Sequence, residues 1–539
     1  MSNEFMPADV GRDITAAGGL GTITGYTDGE NVTVTILSPF PAIAFDSGDW
    51  TILGSPQATC TPSAADPVGS TITLTLGTAG WRASDVGRYV KINGGLCRIT
   101  VHTSTTIVSA VVEAELNAAV AAEANAWTLE GSVWGGRFGY PRCGTLHEQR
   151  LFCAGSPAYP QTIWASVIGE YLDFTLGSLD DEALAFIVAN GEINPIRHLA
   201  SIRALIALTS GGEFSVHGGN EKAITPTNVQ VKDQSAHGCS DVAPERVGNE
   251  LFFLMRALRK IRALSSNQYD SDQYNAPDMS VLAEHITRAG IACMAYQQEP
   301  ESLLWCVRRD GQLPVLTADR DQDVFAWTRQ TTQGRFERVA TVPVADGYSV
   351  FVVTSRVIDG VTTRYIEKFD PALNTDCAVT GTSEAGATVW TGLDHLEGMK
   401  VRVKGDGVLL QDRVVESGQI EIERTANAIE VGLDYVTTVK TLTPELSVPA
   451  GTIQGAKLNQ YRVKVRLLET IGCTINLEQI PFRQLGIEVL DKAPEPFSGD
   501  KDAGTLGWAD GQMSSLIQQT LPYDFHLLAV ITSFTANER

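Results

Sequence analysis

Short runs in which apolar and polar residues alternate recur along this chain of 539 residues. Val32, Val34 and Ile36 alternate with threonines, and the same period of two returns in 401–404 and 461–470. Such alternation places the apolar side chains on one face of a half-buried β-strand. The chain also has 50 glycines, mostly between such runs. The pattern therefore predicts a mainly β protein whose strands are joined by tight turns.

The N-terminal quarter contains a repeat, because the sequence WRASDVGR at 81–88 is similar to FMPADVGR at 5–12. The aligned pairs are Asp9 with Asp85, Gly11 with Gly87, Arg12 with Arg88 and Trp50 with Trp127. Since order and spacing are kept, the repeat predicts two small β-modules, residues 1–57 and 58–134. We interpret DVGR as a turn, in which Gly permits a positive φ and Asp binds the amides that follow. A ligand loop built on Asp and Arg is the alternative.

From about residue 135 the chain repeats a different unit, two strands joined by a polar turn. These units lie at 144–166, 194–219, 243–265, 301–317 and 347–370. Their spacing predicts a propeller-like platform over 135–371. An appended β-sandwich-like module is predicted over 372–458. The strands of 459–539 are predicted to return to the platform.

Charge and cysteine content exclude several classes of protein. The net charge is −22, whereas specific binding to duplex DNA requires clustered Lys and Arg, so we exclude it as the main activity. The nine cysteines form no CxxC pair, which is unlike a zinc ribbon or a disulfide scaffold and fits reduced, buried thiols. We expect no signal peptide and no membrane span, since no apolar run reaches the roughly 18 residues a span needs.

Three acidic or mixed clusters are candidates for catalytic or metal sites. Asp180, Asp181 and Glu182 are adjacent, which favours a solvated turn over the paired carboxylates of a glycosidase. Asp319, Asp321 and Asp323 begin like a calcium loop, but Val324 and Gln330 stand where Gly and Glu are needed. His237, Cys239 and Asp241 could hold a metal if extended, and a loop with a buried Cys is the favoured interpretation. We therefore predict no catalytic residue, no cofactor and no metal site.

The densest positive run is MRALRKIRAL at 255–264. As a helix it would place Arg256, Arg259 and Lys260 on one face, and as a strand it would align Arg256, Lys260 and Arg262. These four residues are candidate contacts for DNA or for an acidic neighbouring subunit. A solvated face is the alternative interpretation.

Several motifs resemble the tail nozzle proteins of short-tailed bacteriophages, also called tail tubular protein B. The run RLFCAGSPAYPQTIWASVIGEYLDF at 150–174 resembles a signature of that family. SGGEFSVHGG, APERVGNELFFL, YIEKFD and GLDHLEGMKVRVKGDG resemble further family motifs in the same order, so the resemblance covers about 140–539. The two DVGR units resemble a small β-module carried by phage proteins of this type. The chain departs from the family by beginning almost inside the first such unit.

The resemblance implies a structural virion protein of the phage tail, assembled in the host cytoplasm. It implies a homohexameric ring that forms the distal channel for genome passage. The implied partners are further copies of the chain, the head–tail adaptor, tail fibre or tailspike proteins, and genomic DNA in passage. Two other functions remain as alternatives. One is a glycan-binding tail protein that uses exposed Trp81, Trp127 or Trp134, and the other is a glycan hydrolase.

Overall fold

The structure is a computed structural model of the chain. It describes residues 5–16, 19–40, 42, 44, 50–130, 134, 139–174, 176–177, 179–188, 194–219, 223–266, 273–448, 451–453, 455–482, 492–503, 507–510 and 513–537. The fold is mainly β, which confirms the predicted fold class. The chain divides into two compact units, residues 1–140 and 141–539.

The first unit consists of two antiparallel sheets that repeat one strand order. The first sheet has the order β3-β2-β1-β4, with β1 Asp13–Ala16, β2 Gly19–Tyr26, β3 Val32–Ser38 and β4 Trp50–Leu53. The second has the order β10-β7-β8-β9-β6-β5, with β5 Cys60–Pro62, β6 Thr71–Leu76, β7 Tyr89–Ile92, β8 Gly95–His102, β9 Ile107–Ala114 and β10 Thr128–Glu130. The repeat in the sequence is therefore a repeat of four strands, to which the second sheet adds β5 and β6.

The second unit begins with five antiparallel sheets in which each strand pairs with the next along the chain. We call them platform sheets 1 to 5. Sheet 1 contains β11 Cys143–His147, β12 Arg150–Ala154, β13 Thr162–Ala165 and β14 Leu184–Ile187. Sheet 2 contains β15 Ile196–Ser201, β16 Leu205–Thr209, β17 Glu213–Gly218 and β18 Val229–Ser235. Sheet 3 contains β19 Glu245–Val247, β20 Glu250–Leu254, β21 Ile261–Ser266 and β22 Tyr274–Asn275. Sheet 4 contains β23 Ile291–Gln297, β24 Leu303–Arg308, β25 Leu313–Asp319 and β26 Val324–Gln330. Sheet 5 contains β27 Arg335–Val344, β28 Gly347–Ile358 and β29 Val361–Lys368. One short helix, Glu284–Thr287, precedes sheet 4.

The platform sheets pack face to face in chain order, which is the propeller-like arrangement. Separate apolar clusters join sheet 1 to sheet 2, sheet 2 to 3, sheet 3 to 4 and sheet 4 to 5. Inner sheets therefore bury both faces: Leu205 packs toward sheet 1 and the adjacent Ile206 toward sheet 3. This explains why inner strands such as LIALT and ELFFL are continuous apolar runs and do not alternate.

Further sheets follow the platform. The appended module is a five-stranded sheet built from β30 Asp376–Thr391, β31 Lys400–Gly405, β32 Val408–Leu409, β33 Arg413–Val414 and β34 Gln419–Leu433. The remaining strands are β35 Thr437–Lys440, β36 Ser447–Val448, β37 Gly451–Thr452, β38 Lys457–Thr470, β39 Thr474–Ile475, β40 Glu478–Gln479, β41 Phe497–Ala503, β42 Gly507–Asp510, β43 Leu516–Gln519 and β44 His526–Asn537. Within the described ranges these strands pair with one another and not with a platform strand, so the return of 459–539 to the platform stays a prediction. No described helix is long and apolar enough to cross a membrane.

Candidate functional site

The Asp and Arg of the first DVGR motif are bound by their own module. Asp9 ends a short 3-10 turn and accepts a hydrogen bond from the backbone amide of Met6 at 2.8 Å. Its other carboxylate oxygen binds Arg12 at 2.8 Å. Arg12 in turn donates to the carbonyls of Leu53 and Gly54, at 3.3 and 2.8 Å, where β4 ends. The motif therefore joins the first strand of the sheet to the end of the last.

The second motif repeats these contacts. Asp85 accepts from the amide of Arg82 at 2.8 Å and binds Arg88 at 3.0 Å, and Arg88 donates to the carbonyl of Leu129. Arg12 and Arg88 thus each reach a carbonyl 41 residues further along the chain. The predicted turn is correct in its glycine, since Gly87 has φ +90°, but the carboxylate binds the amide three residues before it and not those that follow.

An ion pair joins the two modules. The guanidinium of Arg82 binds Asp9 at 2.5 Å, so the fully buried Asp9 lies between Arg82 and Arg12. Burial lowers the pKa of Arg12, and the Coulomb attraction of Asp9 opposes that effect. Because these charged groups bind each other and nearby carbonyls, the arrangement serves to hold the modules together.

The basic run 255–264 lies across a β-hairpin and forms neither the helix nor the single strand considered from the sequence. Residues 255–260 connect β20 to β21, and Leu258 has φ +63° at the turn. Lys260 binds Asp278 and Glu284, at 3.0 and 3.1 Å. The run is therefore divided between a turn and the start of β21.

The four candidate residues of this run differ in their surroundings. Arg262 donates to the carbonyl of Ala276 at 2.5 Å, so its charge is partly used within the sheet. Arg256 and Arg259 are exposed, and neither makes an ion pair or a side-chain hydrogen bond within the part of the chain that the structure describes. Contact of these four residues with DNA or with a neighbouring subunit stays a prediction.

The aromatic residues considered for glycan binding are mostly in the core. Trp81 and Trp127 are buried, and their rings lie 5.5 Å apart. Trp127 donates from its indole nitrogen to the carbonyl of Ala58 at 2.9 Å. The expectation that Trp81 and Trp127 are exposed is therefore wrong, because these rings fill the centre of the second module.

The acidic and metal candidates lie where their favoured interpretations placed them. Asp180 and Asp181 form a turn, and Asp319 to Asp323 lead from β25 into the turn before β26. Cys239 is buried, and Asp241 binds Arg142 at 2.5 Å. Among the described residues no group of three or more His, Cys, Asp or Glu side chains is close enough to hold a metal ion.

A cavity of about 640 Å³ lies where sheet 5 meets the start of the appended module. Such a volume is in the range of small-molecule sites. The lining combines aromatic and acidic side chains with aliphatic and hydroxyl ones, and includes Tyr365, Glu367, Asp376, His395 and Tyr435. Sequence reasoning missed this cavity, because its residues come from separate strands and no local motif unites them.

A buried ion cluster forms one side of the cavity. Arg356 has its side chain fully buried, binds Glu367, and approaches Asp376 to 3.7 Å. Thr332 donates to Asp376 at 2.6 Å, and Cys377 donates to Glu367 at 3.2 Å. Burial raises the pKa of Asp376, while the nearby threonine and guanidinium act in the opposite direction. One guanidinium thus holds both carboxylates, which gives the cluster a structural role.

No family model and no curated protein matches the chain. Among solved structures it is similar to an auxiliary nutrient binding protein from Bacteroides thetaiotaomicron VPI-5482, at 10% identity, 69% coverage of this chain, 97% of the other and a TM-score of 0.24. It is similar to AztD from Citrobacter koseri at 8% identity, with coverages of 70% and 99% and a TM-score of 0.26. It is similar to Raptor from Chaetomium thermophilum at 13% identity, with coverages of 54% and 27% and a TM-score of 0.28. Likeness this weak carries no argument about ligands or activity.

Proposed function

We propose that the chain is a structural subunit of the tail nozzle of a short-tailed bacteriophage, where copies form the distal channel for the genome. The observation that carries the proposal is the order of its parts: tandem DVGR modules, then a propeller-like platform that contains the nozzle-like motifs, then an appended β-module. The head–tail adaptor and tail fibre or tailspike proteins are the proposed partners.

The structure offers support of a second kind. The charged groups of the DVGR motifs and of the cavity wall bind other groups of the same chain, as expected of a protein that acts by assembly. The glycan-binding alternative loses two of its three tryptophans to the core.

Native mass spectrometry combined with negative-stain imaging of the purified chain, alone and with candidate adaptor rings, tests the proposal. We expect a sixfold ring with a central hole, formed alone or on the adaptor. A persistent monomer in both mixtures contradicts it. Turnover of host polysaccharide by the purified chain would instead identify a glycan hydrolase.

A further inference from the structure

The outer face of platform sheet 5 is both basic and apolar. Residues directly opposite one another on neighbouring strands share a face of a sheet. The register places three such rows on this face, Arg335–Ser355–Arg364, Arg338–Val353–Ile366 and Ala340–Phe351–Lys368. We call these residues the basic face. It carries four cations, and Arg364 makes an ion pair with the adjacent Glu337 at 2.7 Å.

On the basic face the residues of the outer strands β27 and β29 are exposed, whereas Ser355 in the middle strand is buried. The opposite face of sheet 5 is buried more deeply. Val350 and Val352 on the opposite face are buried against sheet 4. On the basic face Ile366 is 79% exposed, and no apolar cluster formed by described residues covers it. Ile366 lies on the edge strand β29, and an exposed apolar side chain among charged residues is typical of an interaction surface. The outer strands of the basic face therefore lack an apolar covering layer within the described part of the chain.

A surface of opposite charge lies in sheet 1, at the other end of the array. The segment 167–182, between β13 and β14, has five acidic residues and no basic one. It exposes leucines as well: Leu172 is 93%, Leu176 51% and Leu179 63% exposed. We call this stretch the acidic segment. Glu170 and Asp180 make no ion pair with any described residue.

We propose that the basic face of one copy binds the acidic segment of a second copy of this chain. Each surface combines exposed apolar side chains with charge of one sign, and the two signs are opposite, so both apolar burial and charge attraction favour the contact. A second copy is the occupant because it supplies the complementary surface at equal abundance. Since the two surfaces lie on the first and last platform sheets, the contact is head-to-tail and leads to a ring or a filament.

The inference rests on the proposed function only because both require copies of this chain to associate with one another. The contact itself would be the same in an assembly that serves another purpose. The test therefore measures the contact and the ring separately.

Paired charge reversals provide the test, measured by sedimentation velocity and native mass spectrometry of the full chain. One variant is Arg338→Glu with Lys368→Glu, and the other is Glu170→Lys with Asp180→Lys. We expect each variant alone to self-associate at least roughly tenfold more weakly than the unmodified chain. We expect a 1:1 mixture to recover association, because each reversed surface meets its reversed complement.

The matched control is Arg288→Glu with Lys440→Glu, which makes the same change in net charge as the basic-face variant at exposed residues elsewhere in the second unit. It should leave association unchanged, and circular dichroism melts should show that all variants fold. Equal association of every variant, or loss without recovery in the mixture, overturns the proposal, as does an unmodified chain that stays monomeric. Loss of duplex DNA binding without loss of association in Arg338→Glu/Lys368→Glu would identify the face as a nucleic-acid contact and also overturn it. Recovered association without a closed ring would support the contact and count against the nozzle.

Discussion

Asp9 is an anion enclosed by two guanidinium groups and removed from water. The pairing with Arg12 could be predicted, because the two residues belong to one short motif. The pairing with Arg82 could not, since that residue is 73 positions away and meets Asp9 only after both modules fold. A buried charge of this kind is costly unless all its partners are in place.

Asp9→Asn should therefore destabilise the first unit by about 3 kcal/mol, because the buried Arg12 and the half-buried Arg82 would both lose their counter-charge. Asp85→Asn is the matched control. It should cost only about 1–2 kcal/mol, since Arg88 is partly exposed and no second arginine among the described residues makes a salt bridge with Asp85. Hydrogen exchange of peptides covering β1, β2 and β7 in the full chain measures both. Equal losses at the two positions would contradict the special role of Asp9.

The raised pKa of Glu245 in β19 leads us to expect that the stability of the folded chain depends on pH. Burial raises its pKa from an ordinary 4.5 to about 7. The folded chain then binds the proton more tightly than the unfolded chain, so stability falls as pH rises from 4.5 to 7 and is level above that. Glu245→Gln should remove this fall.

Urea unfolding of the second unit at pH 5.5 and pH 8 measures the effect, with the exposed Glu301→Gln of the same unit as the control for a lost charge. Between these two pH values the unmodified chain should lose more stability than Glu245→Gln, and Glu301→Gln should behave as the unmodified chain does. Identical slopes for all three chains would mean that Glu245 ionises normally.

At the scale of elements, the basic run 255–264 shows why a cluster of basic residues in the sequence does not determine the secondary structure. Its sequence fits a helix and a strand about equally well, and the structure adopts neither through the whole run. The backbone turns at Leu258, whose carbonyl accepts from the amide of Ile291 in sheet 4. That contact comes from outside the run, so local periodicity could not predict the turn.

The second sheet of the first unit shows that local sequence is equally unable to predict which aromatic residues are buried. The residues next to Trp81 and Trp127 in the sequence do not show that these two side chains are buried. They become core residues because the repeat brings their two strand ends together around β5 and β6. In contrast, the presence of strands in both modules could be predicted from alternation and from the repeat, because both are visible in the sequence itself.

At the scale of the whole molecule, the chain consists of two compact units with separate apolar clusters. Such a chain should not unfold in a single two-state step. Calorimetry should show at least two transitions, and Asp9→Asn should lower the temperature of only one of them. A single transition that moves as a whole in the variant would mean that the units unfold together.

The platform was predictable as a class and not in detail. Strand pairs separated by polar turns indicated a propeller-like array, and the structure has one. The residue pattern could not indicate which sheet faces stay uncovered, because the sequence of a strand does not show whether another layer packs against its apolar residues. Ile366 on sheet 5 is an example, since it is an apolar strand residue and is nevertheless exposed.

The sequential packing of the platform also has a consequence for synthesis. Each inner sheet buries its faces on the sheets made just before and just after it. A nascent chain can therefore complete the sheets one at a time as it leaves the ribosome, without waiting for a distant segment to close the array. At every stage the most recently made sheet exposes an apolar face that the next one covers. Sheet 5 is the last in this series, so the finished platform retains an uncovered sheet face like the one that each earlier intermediate had.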